Sequence, residues 1–261
     1  MVKGYGEKQL INLTNRYKFE KLCRILCYPR DDFELCKRRL EELYKLGVRC
    51  IIPIGRARIC GTSILGKGCE SIVIAGLMEM NGVIAVKIRR LDSSRRTMRD
   101  EATKLSIANR VGVGPKLIAF TDDFILMEYV NGTELPDFIR KVRDRNKLIR
   151  VLVDILEQTY KLDSVGLIHK ELSRANRHIL IRKYDLKPFI LDFETASLTS
   201  KSSNLTQVIS FLFIKPSTIR SKIYQLLGTV NTDKLIEVLR EYKRSRSRKD
   251  YTKLLKLLYL Y

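Results

Sequence analysis

No stretch of the chain approaches the roughly 20 consecutive apolar residues that a membrane-spanning helix needs. The amino terminus also lacks the charged-then-apolar pattern of an export signal. Both absences point to a cytoplasmic protein with no membrane partner. Histidine is nearly missing: His169 and His178 are the only two, which leaves little room for a histidine-rich metal site. Cysteine is absent beyond Cys69, and Cys23, Cys27, Cys36, Cys50, Cys60 and Cys69 do not follow a zinc-ligand spacing. Cys23 and Cys27, one helical turn apart on an apolar face, suit small buried thiols. A disulfide or a metal stays open, since some thermophile cytosols tolerate disulfides. Acidic residues are in deficit, 29 Asp plus Glu against 50 Lys plus Arg, for a formal charge of +21. Such a field either favours polyanions, whether RNA, ribonucleoprotein or acidic protein surfaces, or belongs to a solvated surface.

What is present begins with enough chain, 261 residues at 45% hydrophobic content, for one moderate domain or two small ones. Residues 7–28 place Leu10, Leu13, Tyr17, Leu22, Ile25 and Leu26 at helical spacing, and Pro29 ends that helix. A second helix starts at a cap on Asp31 or Asp32, carries Phe33, Leu35, Leu40, Leu43 and Leu46, and stops at Gly47. The pair reads either as a helix-turn-helix that meets nucleic acid or as a packing extension.

From Val48 the pattern becomes short β-type runs. Gly66, Gly68 and Val73 match G-x-G-x-x-G-x-V, with Ser71 at the third glycine position. Alone, this is equally an ordinary hairpin. Asn81-Gly82 marks a two-residue turn into Val83-Ile84-Ala85-Val86-Lys87-Ile88. Lys87 in an apolar strand needs an acidic partner or a phosphate. Glu101 is the candidate partner, and Asp100 is the neighbour that could be mistaken for it. Ala85, on the same face, leaves room for a flat ring. Gly112-Val113-Gly114-Pro115 breaks the following helix, and the run from Phe124 through Glu128 and Val130 to Gly132 is a buried strand running into a turn. Residues 134–163 read as helical, with Leu148, Leu152, Ile155, Leu156, Thr159 and Leu162 on one face.

The densest chemistry lies between His169 and Glu194. His169, Glu171, Leu172 and Asn176 fall at the spacing H-R-D-L-x-x-x-N, with Glu for Asp, and Asp192-Phe193-Glu194 stands where D-F-G would, with Glu for Gly. Phosphoryl transfer needs position and charge more than covalent help. Asn176 and Asp192 can hold Mg²⁺ against ATP phosphates, and Glu171 can orient or deprotonate an acceptor hydroxyl. No Ala-Pro-Glu motif follows, so a long activation segment is not expected. Lys243–Lys249 is a basic run, either a polyanion contact or a solvated helix end.

Taken in order, glycine loop, Lys87, Glu101, the Met127-Glu128-Tyr129 hinge, HKELSRAN and LDFE resemble the protein-kinase-like fold across residues 60 to 215. The subgroup it looks like is that of small atypical kinases, the RIO kinases and the kinase of the KEOPS complex, together with an archaeal predicted serine/threonine kinase family that has an H-x-E-L-S-R loop and a D-F-E triplet. The resemblance implies an α+β, two-lobed fold with a helical extension over 1–58, an N-lobe over 59–131 and a C-lobe over 132–261. It implies binding of ATP by Gly66, Gly68, Ser71, Val73, Ala85, Lys87, Glu101 and the backbone of Glu128 and Val130. Lys87, Glu171, Asn176 and Asp192 form the implied catalytic set, acting on Ser/Thr of a protein substrate or of the chain itself. A nucleotide-gated binding factor for RNA or ribonucleoprotein, and a small-molecule kinase, are the alternative readings.

Overall fold

Alternating apolar strands bounded by turn residues build the first half of the chain into a sheet, and amphipathic helices build most of the second. The computed structural model describes residues 10–260. It divides into two units, residues up to Ala102 with Lys116–Tyr129, and Thr103–Pro115 with Val130 onward.

In the first unit, β1 (Ile11–Asn12) is followed by α1 (Phe19–Leu26), α2 (Phe33–Lys45) and β2 (Val48–Ile52). Next come β3 (Ala57–Ile59), β4 (Thr62–Ile64), β5 (Gly66–Lys67), β6 (Ser71–Met78) and β7 (Gly82–Arg89). Helix α3 (Arg99–Arg110) crosses the boundary between units, after which β8 (Leu117–Phe120) and β9 (Phe124–Glu128) complete the sheet. Its strand order is β1-β2-β6-β7-β9-β8, with β5 paired to β6. The sheet is antiparallel throughout.

Helix α2 starts as its sequence indicates. Asp32 accepts a hydrogen bond from Leu35 N at 2.9 Å, and Gly47 follows the last turn at φ +90°. The helix expected over 7–28 is shorter. Residues 7–9 lie outside the described residues, Ile11 and Asn12 pair with β2, and the helix begins only at Phe19. Helical spacing at Leu10 and Leu13 therefore reflects burial against the sheet, since Ile11 and Leu13 are both buried. Leu22, Ile25, Leu26, Leu40 and Leu43 share one core cluster with Ile51, Ile74, Val86 and Leu126. Residues 10–58 thus contribute a paired strand and two packed helices to the glycine-loop unit.

Two further expectations change here. The turn between β6 and β7 has three residues, because Met78 pairs with Gly82 and leaves Glu79, Met80 and Asn81 as the loop. Gly82 at φ +67° supplies the left-handed residue that closes such a loop. Cys23, expected as a buried thiol beside Cys27, instead forms a disulfide with Cys36 of α2. Partner choice follows the packing of α1 on α2 rather than spacing along α1.

Arg39 is fully buried under the sheet edge, with Nε and Nη2 donating to the Asp123 carboxylate at 3.0 and 2.6 Å and Nη1 donating to Leu26 O. Arg89 adds a bond at 2.8 Å. Burial pushes the Asp123 carboxyl up, but the hydrogen bonds and charges of Arg39 and Arg89 outweigh it and hold the group below the usual carboxylate range.

Thiol chemistry gives a check on this packing. Cys60 and Cys69 are exposed, whereas Cys27 is buried and burial pushes its pKa up to about 11. Mass spectrometry of the native, unreduced chain after maleimide treatment should find Cys60 and Cys69 modified first. Cys27 should react at least ~100-fold more slowly, from its lower thiolate fraction alone. Cys23 and Cys36 should label only after reduction and unfolding. Fast labelling of Cys23 without reductant would refute the pairing.

In the second unit, β10 (Gly132–Glu134), β11 (Ile179–Arg182) and β12 (Pro188–Ile190) form a small antiparallel sheet. The helical stretch expected over 134–163 is two helices, α4 (Leu135–Lys141) and α5 (Arg145–Ser164). Asp144 separates them, because its side chain caps α5 by accepting from Asn146 N and Lys147 N. All six apolar-face positions expected on α5 are buried. Helix α6 (Asn204–Ile209) continues into a π-helical turn, Ser210–Ile214, followed by α7 (Thr218–Leu227), α8 (Thr232–Ser245) and α9 (Arg248–Leu257). The basic run 243–249 spans the last turn of α8, the two residues Arg246 and Ser247 between the helices, and the start of α9. Within it Arg246 donates to Ser202 O at 2.8 Å, and Arg248 pairs with Glu157 at 2.7 Å and lies over Tyr251. Two of its cations are therefore engaged within the chain.

Candidate active site

In the first unit, Lys87 lies in the middle of β7 between buried Val86 and Ile88, and its Nζ meets Glu101 Oε1 of α3 at 2.5 Å. Both residues are 5% exposed. Removing two charges from water costs several kcal/mol per ion, so such a pair is weak evidence for stability and strong evidence for positioning. Asp100, the alternative partner, is exposed. Ala85, on the face of Lys87, is buried at 6% exposure.

The glycine loop is a tight hairpin turn. Gly68 N donates to Ser71 O at 2.8 Å, and Gly66 pairs with Val73. Its tip is fixed: Arg90 Nη1 donates to Gly68 O at 2.7 Å, and the Glu70 carboxylate accepts from the Ser93 hydroxyl and from Ser94 N at 2.9 Å. Those donors hold the Glu70 carboxyl below its usual range. At the end of β9, Glu128 N donates to Lys116 O at 2.9 Å, so this amide of the expected hinge is already engaged. Val130, which opens the second unit, is buried.

In the second unit, the pieces around Asp192 are pinned from several sides. His169 is fully buried, its N donating to Asn204 Oδ1 at 2.7 Å and its Nε2 bonding Leu191 O at 2.9 Å. Burial lowers the His169 pKa, which keeps the ring neutral with Nε2–H as donor. Leu191 N donates to His178 O at 2.8 Å. Phe193 is buried edge-on to His169, with ring centroids 5.6 Å apart. Gly114, at φ +80°, makes the niche for it, because a Cβ there would lie 3.0 Å from Phe193 Cε2. Asp192 itself takes φ +66°, a left-handed conformation that Asp tolerates better than most residues.

Glu171 precedes the short 3₁₀ turn Leu172–Arg174, and its Oε2 accepts from Thr195 Oγ1 at 3.2 Å. Glu171, His178 and Asp192 each bring one ligand atom to within 4.8 Å of the others. Two carboxylates and an imidazole are donors that a divalent cation accepts. His178 Nδ1 is moreover buried without a hydrogen-bond partner among the described residues. The donor set fits a metal.

Asn176, the other expected metal ligand, closes the same loop. It is exposed and lines a groove of about 610 Å³ with Glu134, Arg140, Arg174, Arg177 and Lys215. Asn176 N bonds back to Arg174 O at 2.7 Å, which continues the turn and leaves two residues before β11. The residue beside this cluster that the sequence motifs did not single out is His178. Its signal was strand register, because Ile179 pairs with Ile190 and the next pair inward sets His178 across from Leu191, one residue before Asp192.

A strand lysine held by a helical glutamate, followed by a pinned H-x-E-L loop and a carboxylate just past a buried strand, defines the protein-kinase-like class of α+β folds. Within that class the chain belongs to the RIO domain family, an atypical kinase-like group, with the match over residues 80–207. The matched span takes in Lys87, Glu101, Glu171 and Asp192 but begins after the glycine hairpin. The chain is also similar to an uncharacterized protein of Methanocaldococcus jannaschii, with 39% identity over 87 residues, 33% of this chain and 72% of that protein. The RIO family implies ATP binding and kinase-like or ATPase activity. No described helix is long and apolar enough to cross a membrane.

Proposed function

We propose that this chain is an ATP-dependent serine/threonine kinase that transfers the γ-phosphoryl group of ATP to a hydroxyl of a protein or of the chain itself. The observation that carries this reading is the pinned pair of carboxylates, Glu171 and Asp192, on the loop and strand end where kinase-like chains keep their acceptor-side group and metal ligand. Lys87, oriented by Glu101, supplies a fixed positive charge for the phosphates. Asp192 would hold the divalent cation, which neutralises phosphate charge as the phosphoryl group departs. Glu171 orients the acceptor hydroxyl and takes its proton; Thr195 steadies that carboxylate. The glycine hairpin with Gly66, Gly68, Ser71 and Val73, and Ala85 with the Glu128 and Val130 backbone, are assigned to the nucleotide.

The test uses γ-labelled ATP with a divalent cation, wild type beside Asp192→Asn, with label followed separately on protein, on small molecules and as free phosphate. Label on Ser or Thr that falls at least ~10³-fold in the variant is the expected result. Label confined to a small molecule would move the acceptor class, and unchanged labelling in the variant would refute the assignment.

One observation favours a second reading, a nucleotide-controlled binding factor for RNA or ribonucleoprotein. The groove beside the catalytic loop is lined by Arg140, Arg174, Arg177 and Lys215. In that case the assay releases free phosphate without labelled protein, and RNA affinity falls steeply with added salt.

A further inference from the structure

Tyr28 lies in the connection between α1 and α2, and two cations meet its ring. Lys67 Nζ, from the glycine hairpin, is 4.6 Å from the ring centroid, and the Arg90 guanidinium carbon, just past the end of β7, is 5.0 Å from it. We propose, on the assignment of the glycine hairpin to the nucleotide, that Tyr28 and Arg90 are positioning residues for the phosphates: they set the Gly68–Cys69 peptide so that its N–H is presented to a phosphate oxygen.

Arg90 is fixed at three nitrogens. Nε and Nη2 donate to the Asp92 carboxylate at 2.8 and 2.6 Å, and Nη1 donates to Gly68 O at 2.7 Å. Its backbone N donates to Glu70 O at 3.0 Å, so the hairpin turn is held at two carbonyls by one residue. Tyr28 is anchored in its turn. Its carbonyl accepts from Leu91 N at 3.0 Å, and the Cys23–Cys36 disulfide closes the segment that carries it. Lys67, on the same ring, ties β5 to this brace.

In a planar trans peptide the C=O and the N–H point in opposite directions. Drawing Gly68 O toward Arg90 therefore turns the Cys69 N–H away from it, and that N–H makes no hydrogen bond among the described residues. A backbone N–H kept free in such a turn is a donor for an anionic oxygen. The strand register sets the hairpin beside the cation assigned to the phosphates, because Gly66 pairs with Val73 and Val73 pairs with Lys87. Holding the donor in place before the nucleotide arrives removes part of the ordering cost of binding.

The experiment measures equilibrium binding of ATP and of adenosine to the full chain by calorimetry, which reads the phosphates separately from the base. Arg90→Ala and Tyr28→Ala are expected to weaken ATP by at least ~10-fold, the loss for one hydrogen bond to a charged group, and adenosine by less than ~2-fold. Tyr28→Phe keeps the ring and should bind ATP as wild type does. Circular dichroism checks that the variants fold. Amide exchange of wild type, followed by NMR, gives a signature independent of any variant: ATP should slow exchange at Cys69 N–H by at least ~10-fold, and adenosine should not. No such protection, unchanged ATP affinity in either alanine variant, or equal weakening of ATP and adenosine overturns the inference. A Tyr28→Phe variant as weak as Tyr28→Ala removes the ring from it and does the same. Lys87→Ala separates the two levels: if it weakens ATP while the Tyr28 and Arg90 variants do not, the nucleotide assignment stands and only the positioning role falls. If wild type binds ATP no more tightly than adenosine, both fall.

Discussion

Replacement of Asp163 by alanine is expected to cost about 3–5 kcal/mol of stability, because several buried donors lose their acceptor at once, at about 1–3 kcal/mol for each group left unsatisfied. Asp163 closes α5 at 2% exposure. Its carboxylate accepts from Ser203 Oγ at 2.7 Å, Asn204 N at 2.7 Å, Asn204 Nδ2 at 2.9 Å, Leu205 N at 3.2 Å and Tyr242 Oη at 3.0 Å. One side chain thus ties α5 to the first turn of α6 and to α8. Tyr242 is fully buried, and its phenol pKa is raised first by that burial and then by the charge of Asp163. Alanine would leave these donors without their acceptor. Asp163→Asn should also destabilise, because an amide presents hydrogens to at least some of those donors. Ser203→Ala, which removes one bond, should cost about 1 kcal/mol. Denaturant titration reads all three, and an Asp163→Ala cost below that of Ser203→Ala would reject the network as a unit. The effect should reach the active site as well, since Asn204 uses its own Oδ1 to hold His169 N at 2.7 Å. At denaturant concentrations where Asp163→Ala is still folded, its transfer activity should already be reduced.

Glu171→Gln is expected to lower phosphoryl transfer by about 10²–10⁴-fold, the usual contribution of a positioned general base. Nucleotide binding should stay near that of wild type. The amide keeps an oxygen where the carboxylate was, so divalent-cation affinity should fall by less than ~10-fold. Transfer falling only as far as metal affinity would make Glu171 a ligand and nothing more. Glu171→Asp shortens the reach by one methylene and should retain part of the activity, because an acid in the loop is restored at slightly altered distance. Steady-state transfer and equilibrium nucleotide binding, measured on the same preparations, separate these outcomes.

Much of this was legible in the residues. An uncompensated lysine within an apolar strand demanded a partner, and Glu101 was identifiable because the following helix offered it one position from Asp100. Likewise, the cap of α2 at Asp32 and the buried face of α5 follow from local chemistry that a short window contains. What escaped depends on contacts distant in sequence. Helical periodicity over residues 10–13 was mistaken for helix because strand pairing to β2 buries Ile11 and Leu13 by another route. The Cys23–Cys36 bond depends on how α1 lies on α2. His178 was passed over because the motif spacing ended at Asn176, while the register that brings His178 near Asp192 is set by a strand pair and the turn before it.

Phe193 in its niche at Gly114 has a consequence for control. A signalling switch needs two resting positions of similar energy for the group it turns on and off. Here Phe193 is wedged against His169 and Gly114, Leu191 is held on both its amide and its carbonyl, and the residue after Phe193 is a glutamate without glycine's freedom. These contacts oppose a turn of the triplet between two positions. Under the proposed function, timing would then fall on what reaches the site: the arrival of a hydroxyl at Glu171, or the supply of the ion.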